Sequence, residues 1–136
     1  MPVLRPGQTY KEVVLGDGRK AVLRAPEWRD LDGFLALIND LVAERADILR
    51  GEKVSRSEEA EWLGKRLTAI EKGSLIALIA EIDGKVVASS DVAQWSANYP
   101  ETSHVGVLGI AIMRNARGVG LGKVLMKSLI QLARRG

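Results

Sequence analysis

The chain has 136 residues, a formal charge of +3, and 46% hydrophobic and 27% charged residues. That is enough for one domain with a buried core, and too apolar for a disordered chain. It has no cysteine and one histidine, His104, which excludes disulfides, thiolate metal sites, a cysteine nucleophile and a histidine-rich metal centre.

No run approaches the ~20 apolar residues of a membrane span, and the start MPVLRPGQTYKEVV lacks the basic-then-apolar plan of a signal peptide. A soluble, cytoplasmic, metal-free protein is the default expectation. Lys11–Leu15 and Lys20–Arg24 flank Gly16-Asp17-Gly18, which predicts a hairpin. Ala25-Pro26 ends the second strand. Asp30 is placed to cap a helix in which Leu31, Phe34, Leu35, Leu37, Ile38, Leu41 and Val42 recur at helical spacing. Asn39, Asp40 and Glu44 fall on its other side, and Gly33 weakens its first turn.

Arg45 to Arg56 is polar and irregular, long enough for a functional loop. Ser55-Arg56-Ser57-Glu58 has capping-box spacing and opens a second helix, with Trp62, Leu63, Leu67 and Ile70 facing inward and an end near Lys72-Gly73. Ser74–Ile82 and Val86–Gln94 are β-like and joined by Asp83-Gly84, a second hairpin signal. Trp95–Ser103 is a loop, Val105–Met113 a further strand, and Leu121–Ala133 a helix bearing Leu121, Val124, Leu125, Leu129, Ile130 and Leu132. The order is two strands, two helices, three strands and one helix. Short turns between neighbouring strands make this a mixed α/β (α+β) plan with a mostly antiparallel sheet.

The run Arg114-Asn115-Ala116-Arg117-Gly118-Val119-Gly120-Leu121-Gly122-Lys123 lies between the last strand and the last helix. Glycines there let backbone amides approach an anion, and the helix N-terminus adds partial positive charge. After Glu101 there is no acid, while Arg114, Arg117, Lys123, Lys127, Arg134 and Arg135 are basic. The bland alternative is a solvated basic helix face. A nucleic-acid face ranks low, because only 4% of residues are aromatic and few can stack on bases. A P-loop needs a glycine where Arg117 stands and a hydroxyl where Val124 stands. The dinucleotide fingerprint also fails, meeting Lys123 or Leu125 at its third glycine.

Arg117-Gly118-Val119-Gly120-Leu121-Gly122 resembles motif A (Arg/Gln-x-x-Gly-x-Gly/Ala) of the GNAT superfamily of N-acetyltransferases. Gly109-Ile110-Ala111-Ile112 looks like the strand that precedes that motif, and the element order matches from Lys11 onward. The resemblance implies the N-terminal portion of the GNAT acyl-CoA N-acyltransferase fold, running through motif A and its helix. It also implies acetyl-CoA as acetyl donor. Ile110, Ala111 and Ile112 would meet the pantetheine arm; Arg117, Gly118, Val119, Gly120, Leu121, Gly122 and Lys123 would hold the pyrophosphate. The acceptor would be a small-molecule amine or a peptide or protein amine, attacking directly in a ternary complex.

Many relatives have a glutamate where this chain has Val107. His104 and Glu101 are the replacement catalytic candidates, with Tyr99, Glu81, Asp91 or a water relay as alternatives. The family's later strands and fourth helix have no counterpart before Gly136. A single domain over 1–136 lacking its C-terminal part is therefore expected, with truncation favoured over completion by a partner chain or degeneration. A homodimer is one way to cover the strand edge left bare. The alternative function is a non-catalytic acyl-CoA-binding or regulatory domain.

Overall fold

The structure, a computed structural model, describes residues 3–44, 54–94 and 106–135. Strands β1 (Thr9–Val14) and β2 (Lys20–Arg24) are followed by helices α1 (Leu31–Glu44) and α2 (Arg56–Glu71). Then come β3 (Leu75–Ile82), β4 (Lys85–Gln94), β5 (Gly106–Ile112) and helix α3 (Leu121–Arg135). The expected element order and mixed α/β plan are present. The sheet runs β1-β2-β3-β4-β5 with every neighbouring pair antiparallel.

Local chemistry sets the turns. Asp83 (φ 51°) and Gly84 (φ 79°) both lie in the left-handed region, as a tight hairpin between right-twisted strands requires. Ser55 and Glu58 form the expected capping box: the Ser55 hydroxyl accepts from the Glu58 N–H at 3.2 Å, and the Ser55 N–H donates to Glu58 Oε1 at 3.1 Å.

β3 is buried on both faces, and its apolar run LIALIAEI reflects that. Ile76, Leu78 and Ala80 pack with Leu121, Leu125, Leu129 and Leu132 of α3. Leu75, Ala77 and Ile79 point the other way, onto Phe34, Leu37, Leu63, Leu67 and Ile70 of α1 and α2. The strand's period of two thus builds a three-layer sandwich, α3 on one face and α1 with α2 on the other. Each fully buried leucine contributes about 1.5–3 kcal/mol relative to exposure. Among the described residues no helix is long and apolar enough to cross a membrane.

Two expectations are corrected. Asp30 does not cap forward. The helical path starts earlier, as a 3-10 turn over Trp28–Asp30, and the Asp30 carboxylate turns back to accept from the Glu27 N–H at 2.8 Å and from Arg24 at 2.6 and 2.8 Å. Trp62 remains 38% exposed, because its ring meets Phe34 edge-on at 5.3 Å and carries Arg66 at 4.5 Å rather than entering the core. On the side of α1 away from its apolar stripe, Asn39 and Glu44 are both bonded. Asn39 bonds both backbone groups of Val54, and Glu44 pairs with two arginines.

Candidate cofactor and acceptor site

The β5 chain leaves the sheet at Met113, whose N–H donates to Val87 O at 2.8 Å. One 3-10 turn, Arg114–Ala116, follows, anchored by the fully buried Ala116. Gly118 (φ 76°) and Gly120 (φ 90°) then take left-handed conformations that turn the chain into α3. The first helical bond of α3 runs from Val124 N–H to Gly120 O at 3.1 Å. Among the described residues, the amides of Gly118, Val119, Gly120, Leu121, Gly122 and Lys123 donate to no backbone carbonyl.

A Cβ built on Gly118 or Gly120 would meet nothing within 4 Å. On Gly122 it would lie 3.3 Å from Ile112 Cδ1, so the start of α3 sits directly over the end of β5. There is no acid in the first turn of α3, and Lys123 is exposed without an ion pair among the described residues. A run of unpaired amides at a positively polarised helix end, faced by open space, suits an oxyanion.

Parts of the chain remote in sequence hold this loop. The Gly16 N–H, in the β1–β2 turn, donates to Val119 O at 3.0 Å. Arg19, oriented by Asp17 at 2.6 Å, donates to Asn115 O at 2.8 Å. Glu44, at the end of α1, accepts from Arg114 Nε at 3.0 Å and from Arg117 Nη1 at 2.8 Å. The Arg117 bond and then the Arg114 bond hold the Glu44 carboxyl below the usual carboxylate value.

Arg117 also donates from Nε to Ile112 O at 2.9 Å and from its backbone N–H to Arg114 O at 3.3 Å. Its bonds therefore fasten the loop to β5 and α1. Gly16, Arg19 and Glu44 were missed by sequence reasoning, and no spacing signal links them to the loop, since Glu44 lies 70 and 73 residues from its two partners.

Beside β5 a cavity of about 440 Å³ opens between α1, α2 and β4. Phe34, Leu37, Ile38, Leu41 and Trp62 supply its apolar wall, Gly109 and Ala111 line its β5 side, and Glu58, Glu59, Ser89 and Asp91 are its polar members. Asp91 is paired with Arg66 at 2.8 Å. It stands directly across from Gly109 in the ladder, where an added Cβ would be 3.5 Å from its carboxylate.

Of the sequence-derived base candidates, Asp91 reaches this cavity and Glu81 does not: Glu81 is held by Arg24 at 2.9 Å. His104, Glu101 and Tyr99 lie outside the described residues. Glu59, which no motif pointed to, is only 6% exposed, and burial pushes its carboxyl up. Ile110, Ala111 and Ile112 follow one another along β5, which among the described residues pairs with β4 alone.

The profile of the acetyltransferase (GNAT) family matches residues 37–136. The chain belongs to the GNAT acetyltransferase family. Comparison with curated proteins by sequence found no match. Among solved structures, a ribosomal-protein-alanine N-acetyltransferase from Brucella melitensis is similar at 28% identity and a TM-score of 0.64, over 83% of this chain and 67% of that one. The GNAT domain of S. lividans PAT shares the fold at 18% identity and a TM-score of 0.71, over 92% and 72% of the two chains. The protein yncA from Salmonella typhimurium, solved with its cofactor acetyl-CoA, shares it at 21% identity and a TM-score of 0.64, over 85% and 64%. This GNAT chain thus spans about two thirds of the length of its solved relatives.

Proposed function

We propose that this chain is an acetyl-CoA-dependent N-acetyltransferase that works on the cytoplasmic cofactor pool and passes the acetyl group directly to a primary amine in a ternary complex. The observation that carries this reading is the run of amides from Gly118 to Lys123 with no backbone acceptor, at the N-terminus of α3. Those amides, with the Lys123 ammonium, hold the pyrophosphate. Arg117 serves the cradle by fastening it to Ile112 O and Glu44. The edge of β5 at Ile110, Ala111 and Ile112, which no other described strand pairs, takes the pantetheine arm as an added strand would.

When bound, acetyl-CoA supplies the acyl group as a thioester. The acceptor ammonium first loses one proton to water, relayed past Asp91 on the cavity wall. The neutral nitrogen then bonds to the acetyl carbon, the C–S bond breaks with its electron pair on sulfur, and a second nitrogen proton ends on that sulfur. The chain's part is to hold both reactants against β5 in line for attack, which is where most of the acceleration arises in such a transfer. His104 and Glu101 remain the candidates for a dedicated base from the neighbouring segment.

The second reading, an acyl-CoA-binding domain without turnover, draws on Val107 standing where many relatives carry a glutamate. Calorimetry with acetyl-CoA, with acetyl-pantetheine 4′-phosphate and with acetyl-pantetheine, which lacks both phosphate and nucleotide, tests the cradle: affinity should rise at each step that restores phosphate, and equal affinities would remove the pyrophosphate role. Release of free thiol with an amine present then separates enzyme from sensor.

A further inference from the structure

We propose that the acceptor is an amine carried on an apolar body, an arylalkyl or branched alkyl amine, with the body in the cavity beneath α1 and α2 and the ammonium held by Glu59. The proposal rests on the reading that acetyl transfer takes place along β5.

Glu59 is the decisive residue. It lines the cavity, is 6% exposed, and forms no hydrogen bond or ion pair among the described residues. Arg66 acts on it only through space and has its own bonded partner in Asp91. Although the residue as a whole is buried, its carboxylate is not among the fully buried unpartnered atoms and borders the cavity, where a charge is poorly solvated and gains from a partner. Its place in the cavity wall gives it a use only when something brought in from outside supplies donors. An ammonium supplies three of them and the opposite charge.

The rest of the wall sets the remainder of the ligand. Phe34, Leu37, Ile38, Leu41 and Trp62 make it aromatic and aliphatic, and about 440 Å³ is within the usual range for a small-molecule site. The ionisable lining residues among those described are Glu58, Glu59 and Asp91, all acids. An acceptor bearing a carboxylate, phosphonate or phosphinate would meet like charge and find no cation among the described lining residues. The other two acids are already engaged, Glu58 in the cap of α2 and Asp91 with Arg66, so the second ammonium of a polyamine would find no free carboxylate among the described lining residues. A single ammonium on an apolar body satisfies both the carboxylate and the wall. Gly109 and Ala111, small residues on the β5 side, let the nitrogen come close to the strand.

The test uses the full chain. Tryptophan fluorescence, to which Trp62 on the cavity wall contributes beside Trp28 and Trp95, is compared in the parent and Trp62→Phe during titration with 2-phenylethylamine, isoamylamine, ethanolamine, spermidine and aminomethylphosphonate, with and without acetyl-CoA. Thiol release is measured in parallel. 2-Phenylethylamine is expected to bind at least tenfold more tightly than ethanolamine, and Glu59→Gln to weaken it at least tenfold while acetyl-CoA affinity stays within twofold. Preference for spermidine or aminomethylphosphonate, no binding of 2-phenylethylamine, or an unchanged affinity in Glu59→Gln overturns the proposal. Failure of acetyl-CoA to bind would instead strike the transferase reading, and the amine titration without cofactor would still decide the acceptor class.

Discussion

Replacing Gly120 by alanine separates the loop's role in the fold from its role in binding. Gly120 has φ 90°, and an added Cβ meets nothing within 4 Å. The folding cost is therefore conformational: about 1–2 kcal/mol for a left-handed alanine, plus roughly 0.5–1 kcal/mol for a poorer helix cap. Gly84, with φ 79° and equally open surroundings, lies in the β3–β4 turn and carries the same backbone cost. Gly84→Ala is thus the control. Both variants should lose several degrees of Tm, at roughly 3–6 °C per kcal/mol for a domain of this size.

Only Gly120→Ala puts a methyl group into the space proposed for the pyrophosphate. A hydrogen bond to a charged group contributes about 1.5–3 kcal/mol, so each amide bond lost weakens acetyl-CoA by about 10- to 150-fold. Thermal denaturation and calorimetry on the two variants and the parent suffice. An acetyl-CoA affinity within twofold of the parent in Gly120→Ala, or an equal loss in Gly84→Ala, would refute the cradle.

Arg24 and Asp30 are each 3% exposed and bonded at 2.6 Å, and the Asp30 bond first, then that of Glu81, holds the Arg24 guanidinium protonated well above its usual range. Asp30→Asn should cost about 3–5 kcal/mol in urea unfolding; a loss below about 1 kcal/mol would show the pair to be dispensable. Gly33→Ala puts a Cβ 2.8 Å from Val86 Cγ2, on a side chain that is stiff at χ1. Overpacking of about 1–3 kcal/mol outweighs a helix gain of about 1 kcal/mol, so the midpoint should fall, and a rise would show that α1 can shift.

Glu44 has its folded pKa below the ordinary 4.5, so its contribution is present above pH 4.5 and is lost as pH falls through the depressed value. The stability gap between the parent and Glu44→Gln should close over that window, and a gap that does not change with pH would exclude the ion pairs. Arg19→Met removes the donor to Asn115 O, about 1 kcal/mol. It should weaken acetyl-CoA by roughly fivefold; an unchanged affinity would show that the hairpin does not brace the loop.

Much of the architecture was legible in the chain because it is local chemistry. Asp83-Gly84 and Gly16-Asp17-Gly18 mark hairpins by the backbone angles they permit, and Ser55 with Glu58 marks a helix start by reciprocal hydrogen bonds. Leu121, Leu125, Leu129 and Leu132 mark the buried stripe of α3, all at or near zero exposure. The glycine run pointed to an anion for the same reason: left-handed turns and free amides are written in residue type.

What lies against a given face is not written there. Glu44 read only as a residue on the side of α1 away from its apolar stripe, and it clamps Arg114 and Arg117. Asp30 read as a cap and became half of a buried ion pair. Glu59 sits beside Glu58 in the first turn of α2, where acids ordinarily face water and favour the helix dipole. Packing α2 over β3 and against α1 buried it without a partner among the described residues and left the cavity open beside it. Periodicity tells which residues share a face, but burial and pairing depend on what another, distant element brings to that face. The glycine loop proposed for the cofactor was therefore legible in the sequence, and its bracing and the cavity beside β5 were set by tertiary structure alone.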